Sequence, residues 1–218
     1  MARHSDRVRQ HWLDDRSPTH TDLTQVAVAA VAAELVELCR CDGSERALDV
    51  GCGDGEISEL VRRSVAHLDG FDLAPQRADR ASSRVPDGTF WAQSFLEPYE
   101  RSGFDLVFSW GTMQYCAPRD VQRFLGHSLD AAVDGGRVVH ADVIDRSKLR
   151  ALPPGRSRAH DLVRAVSLRV RRGAHVWRDG SVAHDVDRLA EQLTTRGLIV
   201  EIRAATSPYR SHLLLQKP

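Results

Sequence analysis

The run Leu48-Asp49-Val50-Gly51-Cys52-Gly53-Asp54-Gly55-Glu56 joins an apolar strand to a helix through three glycines in alternate positions. Ala47 to Val50 reads as a buried strand, and the helix continues through Val65. In an open parallel sheet, ligands bind beyond the carboxyl ends of the strands, where this turn would lie. Alternate glycines would keep side chains clear of such a ligand, and the following helix would offer unpaired N–H groups. A dinucleotide turn, G-x-G-x-x-G, needs a glycine where this chain has Glu56. An acid at that helix start would also repel a pyrophosphate.

Outward from the turn, strands and helices alternate. His67–Leu73 reads as a second strand with a helix after Pro75, and Thr89–Ala92 as a third strand. Phe104–Ser109 reads as a fourth, followed by a helix over about Asp120–Leu129. Asp134-Gly135-Gly136 reads as a turn into a fifth strand, Arg137–Ala141. Upstream, Thr21–Leu38 has helical spacing, with Thr21 or Asp22 as N-cap. Downstream, a helix over Asp185–Arg196 stops at Gly197, and Ile199–Ala204 and His212–Gln216 form a closing strand pair. The pattern predicts one α/β domain with a doubly wound, mostly parallel sheet. Residues 1–45 would form an N-terminal helical segment over the ligand site, and residues 144–184 a helical cap insertion on the substrate side.

A second acid narrows the ligand. Asp72 ends the second strand in Gly70-Phe71-Asp72-Leu73, where a carboxylate can accept from both hydroxyls of a ribose. A turn acid before Pro75 is the competing reading. Asp49 beneath the glycines suits a cationic amine and a sulfonium, as in S-adenosylmethionine. Asp49 to Gly55, Asp72 and the run Phe104-Asp105-Leu106-Val107-Phe108-Ser109 together resemble a class I S-adenosylmethionine-dependent methyltransferase of the small-molecule type. The resemblance covers about Arg46 to Val143 and the final strand pair. It implies a Rossmann-like seven-stranded sheet whose last strand is antiparallel. It also implies that Gly51, Cys52, Gly53 and Gly55 pass under the methionine part of the cofactor, with Asp49 toward its amino group. Asp72 and Leu73 would hold the ribose, Gln93, Ser94 and Phe95 would flank the adenine, and Ser109 and Trp110 would border cofactor and substrate. The family often has an Asp where Gln93-Ser94 stands here.

Composition sets the outer bounds. Thirty Lys plus Arg balance thirty Asp plus Glu, which argues against a chain built as a whole to coat nucleic acid or an anionic membrane. Cys39, Cys41, Cys52 and Cys116 match no paired zinc or redox spacing, so free thiols, no metal and a cytoplasmic protein are expected. No run approaches the length of a membrane span.

Methyl transfer from a sulfonium is an in-line displacement that needs orientation and, for some acceptors, a base. His140 and Asp142, two positions apart on the fifth strand, should share a face; His184 and Tyr115 are further candidates. A satisfied strand histidine, a turn acid and a helix start compete with these roles. Ser109-Trp110-Gly111-Thr112 departs from the Asn- or Asp-Pro-Pro-aromatic run of base-amine methylases. Between its residues 146 and 178 the insertion carries Arg146, Lys148, Arg150, Arg156, Arg158, Arg164, Arg169, Arg171, Arg172 and Arg178 against Asp161. That field slightly favours an anionic or carrier-bound small molecule over nucleic acid, although an arginine-biased surface explains it as well. The leading expectation is O- or N-methylation of a small molecule, in specialised biosynthesis. Other S-adenosylmethionine chemistry, RNA methylation and a non-catalytic partner protein are its rivals.

Overall fold

The computed structural model describes Leu13, residues 25–151 and residues 181–218. The expected caps Thr21 and Asp22, and residues 152–180 of the expected insertion with Arg156 to Arg178, lie outside the described residues. Helices are α1 (Gln25–Cys39), α2 (Glu56–Val61), α3 (Pro75–Arg84), α4 (Val121–Ala131), α5 (Arg146–Ala151) and α6 (Val186–Thr194). Strands are β1 (Arg46–Val50), β2 (His67–Asp72), β3 (Phe90–Ala92), β4 (Phe104–Trp110), β5 (Ala132–Ile144), β6 (Ile199–Ala204) and β7 (Arg210–Gln216).

They form one seven-stranded sheet in the order β3-β2-β1-β4-β5-β7-β6. β1 to β5 pair in parallel, and β7 runs antiparallel to both β5 and β6. The order reverses between β1 and β4, which opens a crevice above their carboxyl ends. The expected Rossmann-like architecture is what forms.

Strand alternation divides the core. Ala47, Leu106, Phe108 and Val139 face α1 and α2, where Val28, Leu35, Ile57 and Val61 meet them. Leu48, Val50, Val107 and Val138 face the other layer, with Phe124 and Leu125 of α4 and Val186, Leu189 and Leu193 of α6. Central strands buried on both faces read as continuous apolar runs, which is why β1 and β4 stand out in the sequence.

Several boundaries differ from the reading above: α2 ends at Val61 and not Val65, α6 at Thr194 and not Arg196, and β7 begins at Arg210 and not His212. The Asp134-Gly135-Gly136 segment lies within an irregular start of β5, where the register against β4 shifts between Phe104 and Leu106. β5 also runs past Ala141 to Ile144, through a second register shift against β7 between His140 and Val143. Neither shift has a period that a sequence reports. Gly197 takes φ 87 beyond α6, and its N–H donates to the Thr194 carbonyl, as a helix stop requires. Among the described residues, no helix is long and apolar enough to cross a membrane.

Phe124 is fully buried, with its ring 5.2 Å from Phe95 and 4.6 Å from His140. Phe124→Ala should cost about 3–5 kcal/mol, read as a lower urea midpoint at unchanged slope.

Candidate active site

The turn after β1 is left-handed at all three glycines, with φ of 77 at Gly51, 55 at Gly53 and 79 at Gly55. The three glycines differ in what surrounds them. A β-carbon at Gly51 would stand 2.5 Å from the Thr112 Oγ1, and one at Gly55 2.7 Å from the Ala81 Cα of α3. At Gly53 it would meet nothing within 4 Å. Only Gly53 therefore borders open space; the other two are required by packing, not by clearance for a ligand. Thr112 is fixed in turn, since its hydroxyl donates to the Val50 carbonyl at 3.1 Å and ties β4 to β1.

Two acids sit beneath the turn. The Asp72 carboxylate accepts from the Gly53 N–H and the Ala74 N–H, both at 3.0 Å, one on each oxygen. Backbone therefore holds it in place, and each oxygen retains accepting capacity for a hydroxyl. Burial pushes its pKa up, opposed by those two N–H groups. Asp49 is buried, and its Oδ2 accepts from the Ser58 hydroxyl at 2.6 Å. Burial pushes its carboxyl up to about 7, with Ser58 opposing and nearby Asp72 adding. Ser58 and Thr112 escaped the sequence reading because neither belongs to the glycine motif. Cys52 is buried, and burial raises its thiol pKa, so it is neutral filling within the turn. Leu73 is half-buried directly after Asp72.

The loop after β3 uses its polar groups on itself. The Gln93 amide accepts from Trp91 Nε1 at 2.7 Å and donates to the Pro98 carbonyl at 2.6 Å. The Ser94 hydroxyl accepts from the Leu96 N–H, and Phe95 packs edge-on against Phe124. The Gln93 side chain is thus spent on loop geometry.

The acceptor-side expectations separate sharply. His140 is fully buried between Phe124 and Ser109, with Nδ1 2.9 Å from the Ser109 hydroxyl. Burial pushes its pKa down to about 3, so it stays neutral. Ser109 is equally buried, and Trp110 is half-buried beyond it. His140 and Asp142 do not share a face. The register shift inserts a residue, so Ala141 faces the α1 side and Val143 the α4 side. Asp142 takes φ 58, and its carboxylate receives Arg210 Nη1 at 2.8 Å. The same nitrogen donates to Gln114 Oε1 at 2.9 Å.

His184 is buried as well. Its Nε2 donates to the Met113 carbonyl at 3.0 Å, and burial pushes its pKa down to about 4. It fastens the segment before α6 to the turn after β4, with the Val182 N–H on the Gln114 carbonyl. Tyr115 is half-buried at the end of that turn. Lys148 of α5 donates to the Arg210 carbonyl at 2.9 Å. Gln114, Asp142, Lys148 and Arg210 therefore gather where β4, β5 and β7 meet; of these the sequence had flagged Asp142 and Lys148. Among the described residues, no cluster of His, Cys, Asp or Glu could hold a metal ion.

Comparison with known proteins agrees with this geometry. Residues 47–136 match the family model described as a methyltransferase domain. The chain is 31% identical over 123 residues to a malonyl-[acyl-carrier protein] O-methyltransferase of Herminiimonas arsenicoxydans, covering 54% of this chain and 44% of that protein. It spans about half the length of the curated relatives it matches. The N-methyltransferase NodS of Bradyrhizobium japonicum WM9, solved in complex with S-adenosyl-L-homocysteine, shares the fold at TM-score 0.65 and 16% identity, covering 100% of each chain. An O-methyltransferase family protein of Burkholderia thailandensis superposes at TM-score 0.66 and 19% identity, covering 95% of this chain and 61% of that one. Residues 47–136 thus carry a methyltransferase domain, set in a seven-stranded sheet of the class I S-adenosylmethionine-dependent fold.

Gly55→Ala should cost about 2–5 kcal/mol, from the left-handed conformation and overpacking against Ala81. Gly53→Ala should cost only about 1–2 kcal/mol, from conformation alone. Urea denaturation of the two proteins without ligand checks the order.

Proposed function

We propose that the chain is an S-adenosylmethionine-dependent methyltransferase acting on an oxygen or nitrogen of a small or carrier-bound acceptor with anionic character. The observation that carries this reading is the pairing of open space at Gly53 with a backbone-held Asp72 carboxylate in the sheet's crevice. When bound, S-adenosylmethionine supplies a methyl group on a positive sulfur that departs as a neutral thioether. The chain's own task is then orientation and, for a hydroxyl or amine, proton removal.

In this reading Gly51–Gly55 run beneath the methionine part, Asp72 accepts from the ribose hydroxyls, and Asp49 offsets the amino group's charge. The Gln93–Phe95 backbone flanks the adenine, since the Gln93 amide is committed elsewhere. Gln76 of α3, four residues after Asp72, donates to the Leu13 carbonyl at 3.4 Å. On the acceptor side Trp110 and Tyr115 are walls, and Asp142 is the proton acceptor. Burial raises the Asp142 pKa, opposed mainly by Arg210, which suits a carboxylate that must take up a proton. His140 and His184 are enclosed and neutral, so no proton-transfer role is assigned to them. Arg146, Lys148 and Arg210 near the end of β5 support an anionic acceptor. A carboxylate on a carrier, as the name of the Herminiimonas relative describes, is one such group.

The direct test is transfer of labelled methyl from S-adenosylmethionine to a panel of malonyl-acyl carrier protein, free dicarboxylates, phenols and primary amines. Label should appear in the anionic acceptors, including phenols and primary amines that carry a carboxylate. Retention of all label in the cofactor, despite binding, would overturn the reading. With a hydroxyl or amine acceptor, Asp142→Asn should lower kcat by about 100-fold while leaving S-adenosylhomocysteine affinity unchanged.

Asp49 gives the binding a pH dependence. Its folded-state pKa is raised, so the stability tied to it is full below the unfolded value and lost as pH rises through about 7. A bound ammonium draws the proton off. Affinity for S-adenosylhomocysteine should therefore fall at least about tenfold as pH drops from about 8 to about 5.5. Calorimetry should show Asp49→Asn binding weakly, with a flat profile.

A further inference from the structure

The register shift in β5 leaves Ala141 and Asp142 opposite one residue of β7, His212. Without that extra residue, alternation would send Asp142 toward the face of His140. Asp142 instead adopts φ 58, uncommon for a side chain with a β-carbon. Its N–H leaves the strand ladder and donates to His212 Nδ1 at 3.2 Å. A ring nitrogen that accepts carries no proton, so the proton of the neutral imidazole sits on Nε2. Nε2 donates to Glu34 Oε1 of α1 at 3.0 Å.

His212 is fully buried, with the Trp110 ring 5.9 Å away. Charged groups face it from each neighbouring element: Glu34 from α1, Asp142 from β5, Lys148 from α5 and Arg203 from β6. Burial lowers its pKa, Asp142 raises it, and Lys148 and Arg203 lower it further. The ring is therefore neutral around pH 7, the state in which Nδ1 can accept. On the other side of Asp142, Arg210 Nη1 grips both the carbonyl oxygen, at 2.6 Å, and the carboxylate. The residue is held from two directions.

We propose that His212 and Glu34 are positioning residues for acceptor chemistry: Glu34 fixes the imidazole tautomer, and the bare Nδ1 holds Asp142 in the left-handed bend that delivers its carboxylate to Arg210. The inference rests on the reading of Asp142 as the acceptor-side base. It assigns a task to a histidine enclosed by protein groups. It also makes α1 part of the acceptor site's framework.

Long-range 1H–15N spectra of the full chain near pH 7 test the clasp without any acceptor. Two enclosed histidines, His184 and His212, should show Nε2-protonated rings, and one of these two signals should vanish in His212→Asn. In Glu34→Ala the same ring should move toward a tautomer mixture. A His212 ring protonated on Nδ1, or on both nitrogens, would overturn the proposal. Labelled-methyl turnover with a hydroxyl or amine acceptor from the panel above, alongside S-adenosylhomocysteine affinity, tests the positioning. His212→Leu should lower kcat about ten- to a hundredfold at unchanged cofactor affinity. His212→Asn, whose amide oxygen can accept from the Asp142 N–H, should restore it to within about threefold. Equal losses in both variants, or a parental kcat in His212→Leu, would mean that the ring only fills space. If His212→Leu does not fold, Glu34→Ala carries the test, and a parental tautomer and kcat there overturn the role. A parental kcat in Asp142→Asn beside the expected ring signal would sink the reading of Asp142, and positioning with it. An inactive Asp142→Asn without that ring signal would sink the clasp alone.

Discussion

Between β1 and α2 the backbone reverses through left-handed residues while neighbours close on it from both sides. Thr112, tied to the Val50 carbonyl, stands over Gly51. Ala81 of α3 presses on Gly55. These contacts draw the end of β4 and the face of α3 to the turn, and between them Gly53 is left with open space beside it. The shape of the crevice follows from this arrangement. Two glycines give up their side chains to packing, and the third faces open space.

The same region is built around acids and neutral histidines. Asp49 and Asp72 are driven toward protonation by burial, so a cation entering nearby would relieve a cost already present in the empty fold. His140, His184 and His212 are all buried, and burial keeps each neutral, yet each is held differently. His140 meets Ser109 in the core, His184 donates to a backbone carbonyl, and His212 accepts a backbone N–H while donating to Glu34. Residue type alone would rank the three together. The hydrogen-bond partner separates them.

Much of the site was legible because it is local. The glycine turn, Asp49 and Asp72 lie within one βαβ unit, and their spacing reports the backbone directly. Ser58 and Thr112 went unnoticed because a serine within α2 and a threonine after β4 carry no spacing that points to the turn. The pairing of His140 with Asp142 failed for a related reason. Period-2 alternation is a reliable guide until a bulge inserts a residue, and this bulge has no glycine at 141 or 142 to announce it. Ser211 and His212, polar residues leading into Leu213-Leu214-Leu215, were the available hint that the start of β7 does more than pack.

By itself the sequence determined the order of strands and helices, the doubly wound sheet and the cofactor turn. These depend on apolar periodicity and on glycine's access to positive φ, both properties of neighbours along the chain. Tertiary structure alone decided which glycine borders open space, which histidines are sealed in, and how Asp142 meets Arg210 and His212. Those outcomes depend on groups far apart in sequence, such as Glu34 and His212 or Gln114 and Arg210, whose meeting is set by sheet order and register.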